Sequence, residues 1–206
     1  MWDTSVGGTI SVVLTRLAPS ATIPYYGRVN AAQPAVVPAA YSTTISVVLA
    51  RTAFFTGATP PCTAATITTT RTITSTGTVV SSCLTATASN MTFPGTSFFT
   101  ANIDTTGTVN VTCTNTSPYH VRLDGGNAAA TDPTLRKMTL GANQITYGLY
   151  RDAARSLPWG STDSTNTLDG TGTAASVAHT VYGRIPPQAS KPLGTYTDTI
   201  VVTISF

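Results

Sequence analysis

The chain has 206 residues, 11 Lys+Arg against 8 Asp+Glu for a formal charge of +3, and only 9% charged residues. All eight acids are Asp, Glu is absent, and Thr occurs 43 times, about a fifth of the sequence. Long amphipathic helices and coiled coils are excluded, since they draw on Glu, Lys and Gln for propensity and i,i+4 pairs and this chain has two Lys and no Glu. Thr, Val, Ile and Tyr favour a pleated, half-buried surface, and 16 Gly with 13 Pro supply the turns, so the expected class is all-β. Nine scattered Arg make no basic patch for nucleic acid, and no run of about 18 apolar residues is available to span a membrane as a helix. So little charge points to work outside the cell or inside an assembly that covers the surface.

From the start of the chain, Met1-Trp2-Asp3-Thr4 lacks the basic start and apolar stretch of a signal peptide. The rest of the chain is organised by an internal repeat. Tyr26-Gly27-Arg28-Val29 is echoed by Tyr182-Gly183-Arg184-Ile185, each followed by a Gln (Gln33, Gln188). Each then runs into an alternating strand that opens on Tyr41 or Tyr196, with Trp2 and Trp159 at matching distances upstream. The second copy is preceded by a long β-rich segment and the first by nothing but Met1. Residues 1–50 therefore read as the back half of a domain, 51–82 as a Thr-rich linker, and 83–206 as a complete second domain. In the linker, the alternation Ile67, Thr69, Arg71, Ile73 suits either a strand or a stiff extended spacer.

The second domain reads as short strands at 84–91, 107–115, 119–123, 145–150, 178–184 and 196–206. Turns are expected at Asp124-Gly125-Gly126-Asn127 and Asp169-Gly170-Thr171-Gly172. Such spacing without helices suggests a β-sandwich. Cys83 and Cys113 fall in neighbouring predicted strands, which leaves a structural disulfide or two buried thiols. A bridge over 30 residues would stabilise by roughly 3–4 kcal/mol and imply an oxidising compartment. Cys62 is the odd one, with its partner expected in the missing half of the first domain and a free or intermolecular thiol as the alternatives.

Catalytic patterns are missing. His120 and His179 both lie in predicted strands, and there is no GxSxG, HExxH or phosphate loop, nor any Glu to serve as a glycosidase acid. Asp163 and Asp169 flank a loop that reads as turn chemistry rather than a Ca²⁺ site. Neither enzyme activity nor a cofactor or metal is expected.

A specific order of motifs carries a resemblance: Cys83-Leu84-Thr85-Ala86, Gly107 to Cys113, Tyr119 to Gly125, Ile145 to Asp152, Trp159-Gly160, Tyr182-Gly183-Arg184-Ile185-Pro186 and the closing Gly194 to Phe206. In this order the second domain resembles the spore coat protein U domain family, which includes subunits of archaic chaperone-usher pili. The resemblance implies an immunoglobulin-like sandwich lacking its last strand. A periplasmic chaperone completes such a fold first, and a donor strand from a neighbouring pilin replaces it at an outer-membrane usher. The strand carrying Tyr196, Ile200, Val202, Ile204 and Phe206 is then the edge used by chaperone and polymer. Two family units in one chain fit a tip adhesin on an extracellular pilus, reached through the periplasm and serving surface attachment and biofilm formation. The uncharged loop Ala35, Val36, Val37, Pro38 is its candidate adhesive contact. A stalk or coat subunit is the alternative, and a carbohydrate-binding module using Tyr147, Tyr150 and Trp159 is a third.

Overall fold

A computed structural model describes residue 33, residues 35–51 and residues 67–206. The first repeat copy up to Val29, and Cys62 with the rest of 52–66, lie outside the described residues. The chain divides into two compact units: Met1–Gln33 with Ala40–Thr78, and Pro34–Ala39 with Val79–Phe206.

In the first unit, β1 (Ala39–Arg51) pairs with β2 (Ile67–Val79). On β1, Tyr41, Thr43 and Val47 are half-buried and Ser42, Thr44 and Ser46 exposed, with Ile45 also exposed and breaking the alternation; on β2, Ile73, Ser75, Gly77 and Val79 are half-buried between exposed Thr74, Thr76 and Thr78. The stretch 51–82, for which the sequence allowed strand or spacer, thus holds a 13-residue strand.

The second unit contains β3 (Cys83–Ala88), β4 (Ile103–Cys113), β5 (Pro118–Leu123), β6 (Arg136–Leu140), β7 (Asn143–Tyr150), β8 (Leu168–Thr171), β9 (Ser176–Ile185) and β10 (Val202–Ser205). They form two antiparallel sheets, β3-β4-β9-β7-β6 and β10-β5-β8. The inward set is read directly from the period of two: Val109, Val111 and Cys113 on β4, Tyr119, Val121 and Leu123 on β5, Ile145, Tyr147 and Leu149 on β7. Trp159 is fully buried among them; its indole N–H donates to the Val121 carbonyl at 2.9 Å and its backbone N–H to Leu149 at 2.8 Å, linking the two sheets. The fold is the all-β sandwich expected. Cys83 and Cys113 face each other across β3 and β4 and are joined by a disulfide.

Three elements differ from the sequence reading, each for a local reason. Asp169-Gly170 lies in β8 rather than in a turn, because the Tyr119 ring packs on the Gly170 backbone; a Cβ there would sit 2.3 Å from Tyr119 Cζ. β6 has no alternating apolar pattern, since its most buried side chain is the cation of Arg136. The final strand is shorter than 196–206. Thr197 makes a single bridge to Thr139 of β6, Asp198 then diverts backbone N–H groups to its carboxylate, and the ladder with β5 starts only at Val202.

His179 is half-buried on β9, with Nε2 hydrogen-bonded to the Tyr119 hydroxyl at 2.7 Å and the two rings edge to face. Burial holds its pKa below the usual 6.5, so the folded protein keeps the imidazole neutral. Above pH 6.5 folded and unfolded chains are both neutral there. As pH falls below 6.5, the unfolded chain takes up the proton first, and stability is lost down to the folded-state pKa. Thermal unfolding across pH 7.5 to about 5 is expected to show a falling midpoint that is flatter in His179→Gln; identical slopes would rule out this origin.

Candidate functional site

A groove of about 700 Å³ opens along one side of the second unit. One wall is the extended run 88–99 and the other is 191–202; between them the floor is formed by the core side chains Val109, Leu123, Ile145, Leu149, Val181 and Ile185, which the walls keep buried.

The first wall continues from β3 along β4. The backbone N–H of Ser89 donates to Thr108 O at 2.9 Å, and the Thr105 hydroxyl donates to Thr92 O at 2.8 Å. Met91 and Phe93 reach inward over glycines: a Cβ on Gly183 would stand 2.8 Å from Met91 Cε and 2.9 Å from Phe93 Cζ. This gives the repeated Tyr-Gly-Arg motif a structural meaning. Gly183 makes room for the wall on the inner face. On the outer face the Arg155 guanidinium lies 5.7 Å from the centre of the Tyr182 ring, and Arg184 makes a bidentate pair with Asp104 at 2.8 Å for each bond. The Arg184 hydrogen bond holds the Asp104 carboxyl below the usual carboxylate range.

The second wall is tied down by residues to which sequence reasoning gave no such role. Asp198 Oδ2 accepts from the Tyr147 hydroxyl at 2.7 Å, and Oδ1 accepts from the backbone N–H of Asn127 and of Thr199, each at 2.8 Å. Asp124 Oδ1 accepts from the N–H of Gly126 and of Val201, each at 3.0 Å. Gly126 adopts φ +72, and a Cβ on it would meet Asp198 Oδ2 at 2.2 Å, so only glycine lets the wall approach this closely. Burial, reinforced by Asp198, raises the Tyr147 pKa, and the phenol stays a proton donor. Beneath this, the fully buried guanidinium of Arg136 donates to four carbonyls, those of Asp124 (2.8 Å), Pro133 (2.7 Å), Leu123 (3.2 Å) and Trp159 (2.8 Å). Burial lowers its pKa, and Asp124, Asp198 and Asp132 oppose that shift. Gln188 ties the first wall to β7: its backbone N–H donates to Phe99 O at 3.0 Å, and its side-chain amide pairs with both the N–H and the C=O of Thr146. The shared Gln33 and Gln188 of the repeat are the one sequence signal for this clamp.

The expected edge residues are placed as follows. Val202 and Ile204 point inward opposite Leu123 and Val121, while Tyr196 and Ile200 are half-buried against the core and line the groove; Phe206 is 58% exposed and lies outside it. β10 has β5 on one side, and among the described residues no strand on the other. Ala35 is exposed and accepts a hydrogen bond from the Asn115 side chain, whereas Val36, Val37 and Pro38 are half-buried. Tyr147 and Trp159 are buried, so they offer no aromatic face to a sugar. Asp163 is paired with Arg122, and Asp169 with His120 and Thr167; among the described residues no group of three or more His, Cys, Asp or Glu is placed to hold a metal ion. Among the same residues no helix is long and apolar enough to cross a membrane.

Residues 69–203 match the Spore Coat Protein U domain. The chain is 37% identical over 107 residues to Protein U of Myxococcus xanthus, a stretch covering 49% of this chain and 59% of that protein. In three dimensions it is similar to a chain of the chaperone–tip adhesion subunit pre-assembly complex from the archaic chaperone-usher Csu pili of Acinetobacter baumannii. The TM-score is 0.50 at 17% identity, over 83% of this chain and 60% of that one, which is a likeness of fold. The chain spans about three fifths of the length of both relatives.

Proposed function

Since the chain belongs to the Spore Coat Protein U domain family, we propose that it is a subunit of a chaperone-usher pilus whose second unit takes up an extended strand from another polypeptide. The observation that carries this reading is the open groove beside the unpaired edge of β10. An edge of free N–H and C=O groups next to an apolar-lined groove is a template for pairing. A strand laid there gains ladder hydrogen bonds with β10, and each apolar side chain it buries contributes about 1.5–3 kcal/mol. A periplasmic chaperone supplies that strand first, and a neighbouring subunit replaces it at the outer-membrane usher, placing the protein on the cell surface. Two units in one chain favour the pilus tip, with Ala35, Val36, Val37 and Pro38 as the adhesive contact to apolar surfaces and biofilm formation as the outcome. The likeness to Protein U favours a polymerising coat subunit as the second reading, and it uses the same groove.

Hydrogen exchange tests the groove assignment. In the chain co-purified with its chaperone, the amides of Val202–Ser205 that face away from β5 are expected to become protected relative to the chain alone. Complex formation with no change along β10 would place the contact elsewhere and overturn the reading.

A further inference from the structure

We propose that the outer face of β4, β9 and β7 binds a pyranose polysaccharide that carries carboxylates, with Tyr150 as the stacking platform. The strand register sets which side chains share this face. Asp104, Arg184 and Gly148 form one row across the three strands, Thr106, Tyr182 and Tyr150 the next, and Thr108 with Thr180 a third. Their chain neighbours Val109, Leu149 and Val181 point into the core, so these rows face away from it. Lys137 of β6 joins the face beside its register partner Thr146, whose hydroxyl accepts from Nζ at 2.5 Å.

A strand side chain ordinarily stands off its sheet. Gly148 lets Tyr150 lie down instead: a Cβ there would sit 2.6 Å from the Tyr150 hydroxyl and 2.9 Å from Cζ. The ring therefore runs along the sheet over Gly148, half-buried, and its hydroxyl has no hydrogen-bond partner among the described residues. Across the register, the Tyr182 ring already has the Arg155 guanidinium 5.7 Å from its centre, which leaves Tyr150 as the platform open to a ligand.

The surrounding charge selects the ligand. Arg184 lies opposite the glycine that the ring covers, Lys137 lies beyond it next to Thr146, and Arg155 sits over the adjoining tyrosine. Asp104 is the one carboxylate in these rows, and it takes both arginines, Arg184 at 2.8 Å for each bond and Arg155 at 3.2 Å. The Asp152 carboxylate is turned to its own loop, accepting from the N–H groups of Ser156 and Leu157. The face thus keeps a cationic surplus that a ligand carboxylate complements. Its flatness and its threonine hydroxyls suit a pyranose chain, whose C–H face stacks on an aromatic ring and whose hydroxyls need donors and acceptors. Three cations spaced singly are too few for a nucleic-acid backbone. The site does not depend on the groove reading, because the groove lies on the opposite, inner face of the same strands.

The test is affinity electrophoresis of the full chain through gels holding alginate, a polyuronate, or dextran, a neutral glucan. The wild type is expected to be retarded by alginate and not by dextran. Tyr150→Ala is expected to weaken the apparent affinity for alginate about tenfold, while Tyr150→Phe, which keeps the ring, stays near wild type. Lys137→Glu reverses a surface charge and leaves the ring in place; it is expected to weaken retardation by alginate, and it decides the matter if Tyr150→Ala does not fold. Absence of retardation by either polymer, or either folded variant behaving as wild type, would overturn the site. Equal retardation by dextran would overturn the acidic class of ligand. Displacement of alginate by single-stranded DNA at equal mass concentration would reduce the face to general cation exchange and overturn the proposal as well.

Discussion

Arg136→Met is expected to lower the unfolding free energy of the second unit by about 3–5 kcal/mol and its thermal midpoint by on the order of 10–20 °C. Met matches the aliphatic part of the side chain, so the loss is one of hydrogen bonding and charge rather than volume. Four carbonyls, of Leu123, Asp124, Pro133 and Trp159, depend on one guanidinium. They lie out of water, and each acceptor left bare costs about 1–3 kcal/mol, partly relieved by relaxation. Arg136→Lys recovers little, because an ammonium cannot reproduce a planar fork aimed at carbonyls from β5, the 124–133 loop and the segment before β8. Calorimetry of wild type and both variants checks this; a loss under about 1 kcal/mol for Arg136→Met would show that the carbonyls find other donors. The functional consequence comes from position. Arg136 fixes the carbonyl of Asp124, the Asp124 carboxylate fixes Val201, and so the wall of the groove inherits its geometry from a buried cation.

Whether a feature of this protein is legible in its sequence depends on whether it is written in a period or in a meeting of distant residues. β5, β7 and β9 are legible from strict alternation, as is the inward set Tyr119, Val121, Leu123. The repeat is legible too, and the family resemblance points to Tyr196, Ile200, Val202, Ile204 and Phe206 as a special edge. It gives no sign of the opposite wall, because Met91 and Phe93 matter through the space that Gly107 and Gly183 leave for them. The two aspartates are hidden for a related reason. Asp124 before two glycines reads as a turn, and only the fold brings the backbone of Val201 to its carboxylate. β6 is invisible because a buried charge breaks the apolar pattern, and β8 because a glycine placed to receive a tyrosine ring looks like a turn residue. The strand at Ile67–Val79 shows the converse case: its alternation is visible, but which unit it serves depends on pairing.

The central claim is that the groove beside β10 is filled by a strand from another polypeptide, and capture by the chaperone measures it most directly. Ile200 lines the groove, half-buried, and its side chain is available to an incoming strand without being the centre of the core. Thr203 is exposed on the outer face of β10, opposite Arg122, and serves as the control just beyond Ile200 in the chain. Co-expressed with the chaperone, wild type and Thr203→Asp are expected to be recovered as one-to-one complexes. Ile200→Asp should be recovered at least about tenfold less, since a buried carboxylate in an apolar contact costs more than the roughly 1.4 kcal/mol that a factor of ten represents. Recovery of folded Ile200→Asp at the wild-type level, or equal losses from Ile200→Asp and Thr203→Asp, would contradict the assignment of this groove.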